Sequence, residues 1–110
     1  MVSGSVLRVS VRRNGGTATL RLVGELDLSS AGLLRGRLRD LLEPQRPDPV
    51  DALVVDLSQL LFLDVTGLSV LLDAERRLRA RGGSVVLTGV RPIVRRVLQL
   101  LDLQHRLPEA

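Results

Sequence analysis

The sequence predicts a small α/β domain: a mixed β-sheet, with an antiparallel N-terminal hairpin and then parallel strands, packed with three to four helices. Three observations carry this. Two runs of alternating apolar and polar residues flank "NGG" at 14–16, the pattern of a hairpin with a tight turn. Short apolar runs at 52–58 and 84–90 each lead into a stretch with apolar residues at helical spacing, and such alternation builds parallel sheets. The length, 110 residues, suits one packed core and is too short for two, so residues 1–110 are expected to form a single domain.

The elements follow in order. "VLRVSVR" at 6–12 and "TATLRLVGEL" at 17–26 alternate with the period of half-buried strands. Ser29 and Ser30 precede "AGLLRGRLRDLLE", in which Leu33, Leu34, Leu38, Leu41 and Leu42 recur at helical spacing, and a serine N-cap is expected to start this helix. Pro44 ends it, and the loop at 44–51 holds three of the five prolines. "ALVVDLS" at 52–58 is nearly continuous in apolar residues, as in a central strand covered on both faces.

A helix is then expected from Thr66 to Ala80, with Thr66 as its cap and Gly82 and Gly83 as its terminators. "SVVLTGV" at 84–90 reads as another strand, joined by right-handed crossovers. The last helix opens with Pro92 in its first turn and carries Ile93, Val94, Val97, Leu98 and Leu101 on one face. "LQHRLPEA" at 103–110 is expected to add an edge strand and fray.

Composition excludes several function classes. Hydrophobic residues make up 45% and charged residues 25% of the chain, the balance of a folded globular protein. The only aromatic residue is Phe62, so the core is built from aliphatic side chains and no stacking platform for bases exists. Nucleic acid is therefore not an expected partner. The net charge of +4 comes from 16 arginines with no lysine, which lifts the pI to about 11.4 without making the surface extreme. "RRLRARGG" at 76–83 reads as the solvated C-terminal end of a helix, where cations are favourable.

Cysteine is absent, which excludes disulfides, thiolate metal sites and a cysteine nucleophile. No apolar run approaches the roughly 18 residues of a membrane span, so a cytoplasmic protein without membrane contact is expected. His105, the single histidine, lies in the expected tail and offers no triad. The acids are scattered, so neither metal nor cofactor is expected. A hydrolase built on Asp64 and Thr66 would lack a base to activate the hydroxyl; the chain is read as a non-enzyme.

One stretch stands out. "FLDVTGLSVLL" at 62–72 places Asp64, Thr66 and Gly67 inside an otherwise apolar run. Capping chemistry explains part of it, with Thr66 as cap and Asp64 as a loop acid near a positive helix end. A hydroxyl at a strand-to-helix junction also lies at the carboxyl edge of the sheet, where open α/β folds place their sites.

"GELD" at 24–27, "VVDLSQLLFLDVTGLSVLLDAERRLRARGGSVVLTGV" at 54–90 and "PIVRRVLQLLDL" at 92–103 resemble a STAS domain of the bacterial anti-sigma factor antagonist type. The similarity covers residues 6–108, in the family's order of an apolar strand, "D-x-[ST]-G-L", a helix ending in "GG" and a "P-x-V-x-R-x-L" helix. The resemblance implies a binding protein whose partner is an anti-sigma factor with a histidine-kinase-like ATPase fold. That partner would phosphorylate Thr66 to end the association and so recapture a sigma factor. It implies further that Asp27, Asp64, Val65, Thr66 and Gly67 form the partner-binding face, with the Asp27 loop beside the acceptor, in a monomer or weak dimer. The acceptor is Thr where Ser is commonest, and Val65 stands where Ser is frequent. The runner-up implied by the same resemblance is a non-switching STAS subunit of a larger complex, such as a lipid-transport or stress-signalling assembly.

Overall fold

The computed structural model describes residues 7–110; Val6, the expected start of the first strand, and residues 1–5 of the expected domain lie outside the described residues. The element order is β1 (Arg8–Asn14), β2 (Thr17–Leu26), α1 (Ala31–Leu41), β3 (Ala52–Leu63), α2 (Val65–Arg79), β4 (Ser84–Thr88) and α3 (Pro92–Leu100). The strands form one sheet in the order β1-β2-β3-β4. β1 and β2 pair antiparallel about the two-residue turn Gly15–Gly16, with Asn14 opposite Thr17, and Gly15 takes the positive φ of 61° that such a turn requires. The pairs β2–β3 and β3–β4 are parallel.

The core is aliphatic. Leu20 and Leu22 of β2, Leu53 and Val55 of β3, and Leu34, Leu38, Leu71 and Leu78 of the helices belong to one buried cluster. Burying each such side chain stabilises the fold by roughly 1.5–3 kcal/mol. The expectation that β3 is covered on both faces is corrected here. Buried and half-exposed residues alternate along its first half, and Val54 and Asp56 share the second face with Thr19 and Arg21 through the strand register. The helices thus cover one face, and the other is left to hydroxyls, arginines and small apolar groups.

Further departures concern ends and faces. β3 continues to Leu63, beyond the apolar run at 52–58, because its pairing with β2 persists as far as Leu26↔Leu63 across two register shifts. Leu33, Ile93 and Leu101 point outward although their spacing placed them on apolar faces. Ser30 occupies the cap position of α1, but its side chain makes no cap bond to the first turn; its hydroxyl donates backward to the Glu25 carbonyl at 2.8 Å.

The C-terminal segment forms a single bridge, Leu87↔Glu109, and does not fray. Leu107 is fully buried; the Leu87 N–H donates to the Pro108 carbonyl and the Ala110 N–H to the Leu87 carbonyl, both at 2.8 Å. The glycine stop after α2 holds as read: the Gly83 N–H reaches the Leu78 carbonyl at 2.7 Å, with Gly82 at φ 80°, a Schellman closure. Three of the four arginines of 76–83 make structural bonds. Arg76 pairs with Asp73, and Arg81 donates to the carbonyls of Leu42 and Val50, fastening the proline loop. Glu75 is buried and held by Arg106 at 2.9 Å and Arg79 at 3.7 Å.

Candidate functional site

The end of the sheet at which β2 and β3 finish gathers the motif residues. Asp64 terminates β3 and is the N-cap of α2, with extended backbone (φ −108°, ψ −177°). Its two carboxylate oxygens do different work. Oδ1 accepts the Gly67 N–H at 2.9 Å, an N-cap bond to the third residue of the helix. Oδ2 accepts the Leu28 N–H at 3.2 Å, and the Asp64 N–H donates to the Leu26 carbonyl at 3.2 Å. One side chain therefore fastens the helix start to the loop after β2.

This corrects the assignment of the cap to Thr66. The helix begins at Val65, one residue before the expected start, so Thr66 is its second residue and cannot accept the N–H groups that a cap serves. Its side chain is half-buried. Ser69 spans the first turn instead, its hydroxyl donating to the Thr66 carbonyl at 2.7 Å.

Gly67 is a matter of space. A Cβ there would lie 2.5 Å from Leu26 Cγ and 2.6 Å from the Leu26 carbonyl oxygen, so only glycine lets the first turn of α2 sit on the end of β2. The adjoining Asp27 loop is folded on its own side chain. Asp27 Oδ1 accepts the Ser29 hydroxyl at 2.7 Å and the N–H groups of Ser29 and Ser30 at 3.0 and 3.2 Å. The Ser29 hydroxyl above all, with the other serine donors, holds this carboxyl below its ordinary range against slight desolvation. Asp27 is thus a fixed anion at neutral pH.

The structure brings together the Asp27 loop, Asp64, Val65, Thr66 and Gly67, as the sequence reading required. It adds Leu28, which that reading missed. Leu28 is 77% exposed and the expected Val65 74% exposed, so bare apolar side chains flank the acids and the hydroxyl. Ser29 and Ser30 form the turn that fixes Asp27, a signal available in "DLSS", where serines following an Asp mark an Asx-type turn. Among the described residues no three metal-ligating side chains gather in one place. Apolar side chains beside fixed acids and one hydroxyl make a face suited to docking a protein.

The sequence profile of the family described as "Mlab, STAS domain" matches residues 9–109. The chain belongs to the STAS-domain family. Among relatives of this STAS domain, the anti-sigma F factor antagonist of Paenibacillus polymyxa is 26% identical over 102 residues, covering 93% of this chain and 85% of that protein. The anti-sigma-B factor antagonist of Bacillus subtilis is 30% identical over 97 residues, covering 88% and 82% respectively. The crystal structure of an anti-sigma factor antagonist from Mycobacterium paratuberculosis has the same fold, with a TM-score of 0.80 at 26% identity over 94% of this chain and 85% of that one. The four-stranded mixed sheet with helices on one face is the STAS fold.

Proposed function

We propose that this STAS domain is an anti-sigma factor antagonist, a cytoplasmic binding protein and not an enzyme. It docks an anti-sigma factor on the face formed by Asp27, Asp64, Val65, Thr66 and Gly67, which frees a sigma factor. It is released when the partner, a kinase of histidine-kinase-like ATPase fold, phosphorylates Thr66. Thr66 Oγ attacks the γ-phosphorus of ATP, the bond to ADP breaks, and the hydroxyl proton passes to a base of the kinase. The names of the relatives support the partner class.

The observation that carries the switch is the position of the cap. Asp64 holds the helix start, so the Thr66 hydroxyl has no capping task at the centre of a docking face. Phosphorylation adds about −1.5 to −2 charge there. A partner surface fitted to a neutral hydroxyl then meets a dianion beside Asp27 and Asp64, and such like-charge juxtaposition costs several kcal/mol.

The test is incubation with candidate anti-sigma kinases and ATP, read by intact mass. One phosphate should be gained by the parent and none by Thr66→Ala, which should still bind. Thr66→Glu should fold and fail to bind, and Asp27→Arg should weaken the complex in a folded protein. Equal phosphorylation of the Ala variant, or parental affinity in the Glu variant, removes the switch.

A second reading has one observation behind it: the matching family's description names Mlab, not an antagonist. In that reading the domain is a non-switching subunit of a larger complex, such as a lipid-transport or stress-signalling assembly. Thr66 then takes no phosphate from any candidate kinase, and Thr66→Glu assembles with its complex as the parent does.

A further inference from the structure

β3 is longer than the strand beside it. β4 pairs with β3 only from Ala52↔Ser84 to Asp56↔Thr88, so the last seven residues of β3 have no strand on that edge. The structure manages the break locally: Asp56 Oδ1 accepts the Ser58 N–H at 2.9 Å, and the chain leaves β4 through Gly89 at φ 62°. α3 then lies beside the end of β3. Between them is a slot of about 210 Å³ lined by Leu61, Phe62, Leu63, Ile93, Val94 and Val97.

The slot is apolar, and Arg95 and Arg96 line the shallow depression that adjoins it at Ile93. Leu61 is 62% exposed and Ile93 67% exposed, a cost in water that folding does not explain. Ile93, Val97 and Leu100 stand at i, i+4 and i+7 on α3, one continuous row, and Leu100 is exposed as well. Of the arginines on this helix, Arg95 is neutralised by Glu109 at 2.8 Å. Arg91 and Arg96 are exposed and make no ion pair among the described residues. The nearest acid along the chain, Asp102, lies beyond the helix end. The volume is below the roughly 300–1,000 Å³ of small-molecule pockets, and no aromatic is available to stack a base save the slot's own Phe62. A row of apolar side chains with a side-chain-sized slot fits a helix laid along it, and the two free cations select carboxylates at that helix's edge.

We infer that the β3–α3 slot is a second protein-docking surface, which takes an apolar side chain of an acidic amphipathic helix from a partner protein. It is separate from the Thr66 face and does not rest on phosphorylation there: β2 and the Asp27 loop flank one edge of the end of β3, and α3 flanks the other.

The probe is a pair of synthetic 18-residue amphipathic helices with the same leucine stripe, one flanked by glutamates and the other by lysines, titrated into the methyl-labelled full chain and followed by NMR. The glutamate peptide should shift the methyls of Leu61, Ile93 and Val97 saturably, and the lysine peptide should bind at least tenfold more weakly. Arg91→Glu with Arg96→Glu should reverse that preference. Ile93→Asp, at an exposed position that leaves the fold intact by circular dichroism, should abolish the shifts. Equal binding of both peptides, shifts centred elsewhere, or concentration-dependent shifts of the same methyls without peptide, which mark a second copy as the occupant, each overturn the assignment.

Discussion

Replacing Asp64 with alanine should destabilise the domain far more than replacing Thr66. Asp64→Ala removes the acceptor of the Gly67 N–H at 2.9 Å and of the Leu28 N–H at 3.2 Å. Loss of an N-cap costs about 1 kcal/mol, and a second lost hydrogen bond from a partly exposed donor costs about 1 kcal/mol more. The expected loss is about 2 kcal/mol, or about 8–16 °C in Tm at roughly 4–8 °C per kcal/mol for a domain of this size. Thr66→Ala removes no cap and should stay within about 0.5 kcal/mol of the parent. Asp64→Asn should fall between the two, since its amide oxygen can still accept from Gly67 while its NH2 cannot serve Leu28.

The assay is urea unfolding followed by circular dichroism, because the chain has neither Trp nor Tyr for fluorescence. Circular dichroism reads α1 and α2 directly, and the midpoint at unchanged m reports stability alone. Equal losses in Thr66→Ala and Asp64→Ala would return the cap to Thr66 and remove the reason for regarding its hydroxyl as free.

Gly67→Ala should lower the urea midpoint by the equivalent of about 1–3 kcal/mol, although alanine is the better helix former by about 1 kcal/mol, because the new Cβ would stand 2.6 Å from a backbone carbonyl; a neutral or stabilising result refutes the close approach. Arg106→Ala should cost about 2 kcal/mol by leaving Glu75 buried with only Arg79 at 3.7 Å, and Glu75→Gln in the same background should recover part of it; no loss means that the pair is solvated. Asp27 should titrate below its ordinary value of 3.8, chiefly through the Ser29 hydroxyl. Because the folded value is the lower one, its stabilising effect is present above pH 3.8 and disappears as pH falls through the folded value. Carboxyl carbon shifts measure it, Ser29→Ala should move the midpoint up, and titration at or above 3.8 in the parent contradicts the serine cage.

What the sequence disclosed follows from how local each signal is. The hairpin rests on Asn14-Gly15-Gly16 and the stop of α2 on Gly82 and Gly83, and neither depends on the rest of the chain. The cap of α2 was harder to read, because Asp64 and Thr66 are both good capping residues and the choice between them depends on where β3 ends. That end is fixed by pairing with β2, not by the apolar run at 52–58. Open exposure of one sheet face was hidden for a related reason: Val54 is apolar yet sits on the uncovered side. Glu75 and Arg106 lie 31 residues apart, a pairing that no periodicity announces. Of the site itself, Asp27, Asp64, Val65, Thr66 and Gly67 were readable from the sequence, whereas the exposed Leu28 beside them was visible only once the face was assembled.

Under the proposed switch, a charge at Thr66 would act on a partner while sparing the fold. Of the first four N–H groups of α2, Gly67 is bonded to the Asp64 side chain and Leu68 to the Asp64 carbonyl at 2.9 Å. Those of Val65 and Thr66 have no acceptor among the described residues. A phosphate on Thr66 would sit beside these two donors at the positive end of a 15-residue helix, where an anion is favourable by up to about 1 kcal/mol at an exposed site. Asp64, engaged through both oxygens, is held by the helix and the Asp27 loop and need not move to admit the group. Repulsion from Asp27 and Asp64 is screened by water while the face is bare. It is felt in full only when a partner excludes that water. Assigning the cap to Asp64 thus separates two tasks that a capping threonine would have combined: the acid keeps the helix seated, and the hydroxyl on the second residue of the helix carries no capping duty, as the proposed switch requires.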